Sequence, residues 1–267
     1  MTGVDRIAEA FASARASGRR AALMPYLMGG YPSLEDSRGI IGQYIEGGAD
    51  LIELGIPFSD PLADGPVIHA AGVAALRAGV RVDDAVVLAG EASQAGVPVV
   101  VMCYANPVFA RGLQRFVEML VRAGASGLIV PDLPLEEAPA AAQTCQEAGI
   151  ALVPLVAPTT PDERLGLIGA QARGFLYTVS LTGTTGERAA LDGDLAGVIA
   201  RARASTDVPV AVGFGIGSPG QASAAAAAGA DGVIIGSRLV RAAGEDLTGL
   251  HSLVASFAAA LREPALG

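Results

Sequence analysis

Eight short apolar stretches recur along the chain, at residues 21–28, 50–56, 98–104, 127–130, 151–156, 175–180, 209–213 and 232–236. Most are nearly continuous in Val, Ile and Leu. That is the pattern of parallel strands buried on both faces, not of strands with one wet face. Between them run segments with apolar residues at helical spacing, clearest at 33–46, 116–123 and 195–204. Three joins from helix to strand carry nearly the same phrase, Gly48-Ala49-Asp50, Gly124-Ala125-Ser126 and Gly229-Ala230-Asp231. Glycine just past a helix end supplies the backbone conformation that closes it, so the phrase reads as the repeated join of a βα unit.

Strands alternating with helices, with no break in composition, predict one α/β domain over residues 1–267. Eight units predict closure into a (β/α)8 TIM barrel, since open doubly wound sheets usually carry fewer strands. Residues 4–16 place Val4, Ile7, Ala8 and Phe11 on one helical face. They predict an extra N-terminal helix plugging the bottom of the barrel. Pro25 and Pro98 fall near strand beginnings, where a missing N–H is tolerated. Two connections are long, 57–82 after the second strand and 181–191 after the sixth. Loops that follow strands lie on the catalytic face of such a barrel, and Gly-rich polar loops there read as lids.

Composition agrees with this architecture. The 267 residues suit one barrel, which typically takes about 250. Hydrophobic residues make up 51% and charged residues 17%, enough apolar material for a large core. A net charge of −9 predicts neither nucleic acid nor an anionic membrane as a general partner. No apolar run is long enough to span a bilayer. The opening stretch, with Asp5, Arg6 and Glu9, has no apolar signal core, so a cytoplasmic location is expected. Cys103 and Cys145 form no CxxC pair and read as reduced core thiols. All 18 basic residues are Arg. Without lysine the chain cannot form a Schiff base with substrate or hold pyridoxal phosphate covalently. The two histidines, His69 and His251, have no metal-ligand spacing, so no metal and no cofactor are expected.

Glu53 is the most informative residue. It lies inside Leu51-Ile52-Glu53-Leu54-Gly55-Ile56. Period-two alternation puts Leu51, Glu53 and Gly55 on one face and Ile52, Leu54 and Ile56 on the other. The more apolar face should meet the helices, which turns Glu53 into the barrel. A buried carboxylate is costly unless satisfied or functional, and shifted carboxylates cluster at sites. Asp60 and Asp64 follow in the next loop, where Asp-Pro and Asp-Gly are also ordinary turn formers. Gly213-Phe214-Gly215-Ile216-Gly217 and Gly236-Ser237-Arg238 end the last two strands. That is where many barrels bind phosphate through backbone N–H groups. Tyr104, Asn106 and Asp132 stand at the ends of the third and fourth strands and could line a pocket.

The stretch from Ile52 to Pro66, Ile-Glu-Leu-Gly-Ile-Pro-Phe-Ser-Asp-Pro-Leu-Ala-Asp-Gly-Pro, resembles the signature of the tryptophan synthase α-subunit family. Further anchors follow in family order: Tyr104-Ala105-Asn106-Pro107, Pro131-Asp132-Leu133-Pro134, Gly183-Thr184-Thr185-Gly186, Gly213-Phe214-Gly215-Ile216 and Gly236-Ser237. The resemblance implies that Glu53 and Asp64 are the catalytic carboxylates. It implies a phosphate site at Gly186, Phe214, Gly215, Gly236 and Ser237. It implies an indole pocket of Tyr26, Met102, Ile129, Leu155, Tyr177 and Phe214, with Tyr104 also on substrate, and a lid whose Thr185 meets the loop aspartate. Asp60 would sit in the loop facing a partner. That partner would be a β subunit carrying pyridoxal phosphate, in an α2β2 heterotetramer. The chain departs from the family's best-known members at Tyr26, where Phe is usual, and at Thr184, where Val is common.

The implied reaction is retro-aldol cleavage of indole-3-glycerol phosphate to indole and glyceraldehyde 3-phosphate, in L-tryptophan biosynthesis. With no lysine and no metal site, the indole ring must be the electron sink. The alternatives are a stand-alone lyase releasing free indole, another phosphate-binding barrel such as an isomerase, and a barrel kept only as a scaffold. The same residues serve the first. The Asp60–Gly65 loop argues against the second, and the paired carboxylates against the third.

Overall fold

The strands form where the apolar stretches lie. In the computed structural model, which describes residues 1–179, 195–213 and 215–263, α1 (Gly3–Ala16) leads into β1 (Ala22–Met28), α2 (Leu34–Glu46) and β2 (Ile52–Gly55). Then come α3 (Pro66–Arg77), α4 (Val82–Gln94), β3 (Val99–Met102), α5 (Ala105–Arg111), α6 (Leu113–Arg122) and β4 (Gly127–Ile129). The chain continues through α7 (Pro139–Glu147), β5 (Ala151–Leu152), β6 (Leu155–Val156), α8 (Asp162–Gln171) and β7 (Leu176–Val179). It ends with α9 (Leu195–Ala204), β8 (Val210–Gly213), α10 (Pro219–Ala227), β9 (Gly232–Ile235), α11 (Ser237–Glu245) and α12 (Leu250–Ala260).

Among the described residues every strand pairing is parallel, in the order β5-β4-β3-β2-β1-β9-β8-β7-β6. The two ends of that order are neighbours in sequence. β5 and β6 are halves of one stave, interrupted at Pro154, which has no N–H to give. The Val153 N–H donates to Leu128 C=O at 2.9 Å on one side. Pro154 C=O accepts from Tyr177 N–H at 3.1 Å on the other. The curled sheet is therefore an eight-stave barrel closed at its fifth stave, the TIM barrel that the apolar pattern predicts.

Side-chain alternation sorts the core into two layers. Outward residues Ile52, Leu54, Val101, Leu128 and Val233 pack beneath the helices. Inward residues Leu51, Val100, Ile129, Val153 and Ile234 fill the barrel with Phe175 and Tyr177. The helix α1 supplies Ile7, Phe11 and Ala14 to that interior, so it does plug the bottom. Its buried face runs through Ile7, Ala10, Phe11 and Ala14, one helical stripe, and leaves Ala8 exposed, unlike the face read from sequence.

The repeated joins work as the sequence predicts. Gly48, Gly124 and Gly229 have φ of 96°, 77° and 102°, a left-handed region open to glycine. In each the next residue's N–H returns to the carbonyl five back: Ala49 to Tyr44, Ala125 to Leu120, Ala230 to Ala225. One expectation needs correction. The long connection 57–82 is not mainly loop, because Pro66 at a first helical turn starts α3 inside it.

Candidate active site

A cavity of about 820 Å3 opens at the ends of the strands, lined by Tyr26, Glu53, Asp64, Met102, Leu155 and Tyr177 among others. Strand pairing sets its floor. Tyr26 on β1 and Glu53 on β2 are register partners, so their side chains leave the sheet on the same face. Glu53 is 2% exposed, and its Oε2 has no hydrogen-bond partner. Burial pushes the Glu53 carboxyl up to about 8, with the neighbouring Asp64 charge adding to the rise. At neutral pH it is mostly a neutral acid, able to give a proton.

Two glycines make room above that floor. A Cβ on Gly55 would stand 2.0 Å from the Tyr26 hydroxyl oxygen, and one on Gly213 would stand 2.6 Å from that of Tyr177. Each tyrosine ring lies over a bare backbone position on its neighbouring strand. Both phenols are pushed up by burial and by the charges of Asp64 and Glu53, so both stay neutral donors.

Asp64 comes from the loop between β2 and α3 and is half-buried. Burial raises its carboxyl to about 6, while the Tyr104 hydroxyl and the nearby His69 pull it down. It is therefore mainly ionised at neutral pH, in contrast to Glu53. Tyr104 anchors the loop. Its hydroxyl accepts from the Ala63 N–H at 3.1 Å, and its ring stacks on Phe58 with centroids 5.2 Å apart. Asp60 stands exposed on the same loop, its carbonyl accepting from the Leu62 N–H at 3.0 Å.

Beyond β1 the mouth is built from Gly215, Gly236, Ser237 and Arg238, which follow β8 and β9. Gly215 has φ of 57°, and Gly236 begins α11 with open space where a Cβ would stand. A helix start reached through bare backbone suits an anion, since its first N–H groups point out of the helix end.

The structure thus brings Tyr26, Glu53, Asp64, Met102, Leu155, Tyr177, Gly215, Gly236 and Ser237 to one cavity wall. Ile129 belongs to the buried barrel interior and is not part of that wall. Tyr104 is 2% exposed and faces the loop instead of the cavity. Thr185, Gly186 and Phe214 lie outside the described residues. His69, bland in the sequence, stands near Asp64, and Arg238 lines the cavity beside the glycines. His69 had a signal, since it lies on the first turn of the helix directly after the Asp64 loop. Arg238 adjoins the predicted Gly236-Ser237 pair. Cys103 is buried in the outer layer, and burial pushes its thiol up to about 12, which fits a core thiol. Among the described residues no group of three or more His, Cys, Asp or Glu could hold a metal ion.

Comparison with known proteins bears on this geometry. Residues 11–265 match the family model described as tryptophan synthase alpha chain. A tryptophan synthase alpha chain of Synechococcus elongatus is 45% identical over 235 residues, 88% of this chain and 88% of that one. One from Roseiflexus castenholzii is 48% identical over 202 residues, 75% and 77% of the two chains. A structure of Mycobacterium tuberculosis tryptophan synthase superposes with a TM-score of 0.91 at 42% identity, covering 97% of this chain and 99% of that one. A structure of the Pyrococcus furiosus tryptophan synthase a2b2 complex, described in terms of mutual activation, gives 0.84 at 36% identity, covering 88% and 97%.

Proposed function

This chain belongs to the tryptophan synthase alpha chain family, and we propose on that premise that Glu53 and Asp64 are its catalytic pair. The reaction is the carbon–carbon lyase step of L-tryptophan biosynthesis, in which indole-3-glycerol phosphate gives indole and glyceraldehyde 3-phosphate. Residues 1–267 act as one domain in this reading.

What supports the pairing is the contrast between two carboxyls in one cavity, one raised to about 8 and the other to about 6. At neutral pH the first is an acid and the second an anion. Glu53 gives its proton to C3 of the indole ring, which makes the ring cationic. Asp64 accepts the ring N–H and stabilises that cation. Glu53, now a carboxylate, takes the proton of the side-chain hydroxyl. The bond from C3 to the carbinol carbon breaks, its electron pair restores the aromatic ring, and the carbinol becomes an aldehyde. One carboxyl moves both protons, so nothing is consumed.

The phosphate is held by the backbone N–H groups around Gly215, Gly236 and Ser237, with Gly186 and Phe214 as further contacts. Tyr26, Met102, Leu155 and Tyr177 wall the ring, and the family resemblance adds Thr185, outside the described residues, as a further substrate contact. A β subunit docks on this face in an α2β2 assembly, with Asp60 at the contact. Among the described residues no helix is long and apolar enough to cross a membrane, and we place the protein in the cytoplasm.

The test is indole release from indole-3-glycerol phosphate by the purified chain, with and without a β subunit. Release of indole that rises on adding the β subunit is expected. No release under either condition would overturn the reading. Equal, rapid release in both would favour a stand-alone lyase.

A further inference from the structure

The cavity is larger than the catalytic chemistry uses. At about 820 Å3 it lies toward the upper end of the ~300–1,000 Å3 typical of small-molecule sites. Its lining explains why. Inward residues such as Glu53, Tyr177 and Ile234 belong to the barrel mouth, but Leu135, Leu152 and Ile168 of the outer layer also line it, as does Ala142 on α7. The cavity therefore has a second arm. It continues past the break at Pro154 into the space between α7 and α8.

An independent observation marks the same place. The outward residues Leu54, Val101, Leu128, Leu176 and Val233 are 0% exposed, sealed beneath helices. Leu152, the outward residue of β5, is only partly buried. The cause is local. α7 turns only Ala141 and Cys145 into the core, and the neighbouring Ala138 and Ala142 stop short of filling the gap. α7 packs on α6 and β5, whereas α8 packs on α9, so the two helices flank a groove over Leu152.

The chemistry of the groove selects its occupant. Its floor is aliphatic. The cation at its rim, Arg164, is held by a two-pronged ion pair to Glu136, at 2.5 and 2.9 Å. That pairing leaves no net charge to attract an anion. Gln171, also at the rim, offers one amide oxygen to an N–H donor. The site thus fits a small, uncharged, flat ring with a single N–H. We propose that the α7–α8 groove is a second binding site, for indole itself, entered from the catalytic cavity where indole is formed. The phosphorylated product is excluded by the apolar floor. This inference rests on the lyase reading for its occupant, but not for its geometry.

The test is a titration of the full chain, labelled at Leu, Ile and Ala methyl groups, with indole, followed by methyl NMR. No turnover is needed, so a failure of the lyase reading would show in the indole-release assay and not here. Saturable shifts of Leu152, Leu135 and Ile168 are expected. Ala142→Leu should abolish the Leu152 response while keeping that of Ile234 in the catalytic arm, and should leave indole release from indole-3-glycerol phosphate unchanged. Ala138→Leu serves the same purpose should the first variant misfold. Shifts confined to Ile234, or a Leu152 response intact in the folded filled variants, would overturn the proposal.

Discussion

The hydroxyl of Tyr104, at the end of β3, lies beside the carboxylate of Asp64 on the loop after β2 and holds that carboxyl down against the rise from burial. The same oxygen accepts the N–H of Ala63, and the ring stacks on Phe58. One side chain thus fixes three points of the loop that carries Asp64. Tyr104 touches the loop and not the cavity, so it acts as a positioning residue. Tyr104→Phe keeps the stacking and removes the hydroxyl. Displacement of a catalytic group by an ångström can cost ~10²-fold, so kcat should fall by up to that factor while KM changes little. The lost hydroxyl also held the Asp64 carboxyl down, so the acid limb of the rate profile should move to higher pH. Unchanged kcat and an unmoved limb would remove Tyr104 from this role.

The activity should follow a bell in pH. Asp64 must be ionised, which sets an acid limb near 6, and Glu53 must begin protonated, which sets a basic limb near 8. The two carboxyls interact, so both limbs belong to the pair. Because the Asp64 charge helps raise Glu53, Asp64→Asn should lower the Glu53 titration. Carbon-13 NMR of the Glu53 carboxyl reads this directly. A Glu53 titration in the ordinary carboxylate range, near ~4.3, would contradict the assignment of acid and base.

Glu53→Gln should separate activity from stability. Turnover should drop by at least the ~10²–10⁴-fold of a lost general acid–base. Stability should move the other way. The folded Glu53 carboxyl is raised to about 8, against ~4.3 in an unfolded chain. The fold therefore favours the protonated form, and its stability falls as pH rises from ~4.3 through about 8. Glutamine has no proton to lose. The Tm advantage of the variant should widen between pH 5 and pH 8, and a gap independent of pH would count against the burial argument.

The barrel and the Glu53 carboxylate were legible because both depend on local alternation. The period-two pattern of residues 51–56 fixed which way Glu53 points, and the three Gly-Ala joins fixed how strands follow helices. Asp64 on its own sequence was a turn former. Its role came from the family resemblance, because the loop's course over Glu53 depends on Tyr104, 40 residues downstream. Ile129, expected in the indole pocket, lies in the barrel interior and not among the residues that line the cavity. Its inward face was right, but depth along the barrel axis is not written in a periodicity. The groove over Leu152 was invisible, since it arises from two helices that fail to meet.

Gly55 tests how closely the barrel mouth is fitted. A Cβ there would approach the Tyr26 hydroxyl oxygen to 2.0 Å and Cζ to 2.7 Å. Gly55→Ala must therefore displace the Tyr26 ring, and overpacking of this kind typically costs ~1–3 kcal/mol. The expected result is a lower Tm with a raised KM for indole-3-glycerol phosphate. Tyr26→Leu shortens the side chain and should restore stability in the double variant. Additive losses in the pair would show that the contact is not the cause.

The partner contact can be tested on the loop that holds Asp64. Leu62 is 84% exposed, two residues from Asp60, and Phe109 on α5 is 47% exposed at the same end of the barrel. Large apolar side chains in such positions mark interaction surfaces more often than chance placement when they gather at one end. A β subunit resting on Leu62 and Asp60 would restrict the loop and hold Asp64 against the indole N–H, adding no catalytic group of its own. Asp60→Asn should therefore leave the basal turnover of the isolated chain nearly unchanged and weaken its activation by the β subunit. Leu62→Ser should weaken association itself, seen as a higher Kd in titration calorimetry, with the isolated chain still active. The two variants separate coupling from binding, since the first should bind normally at saturating β subunit and still activate poorly. Equal activation of Asp60→Asn and the unaltered chain would remove Asp60 from the coupling, and an unchanged Kd for Leu62→Ser would move the contact away from this loop.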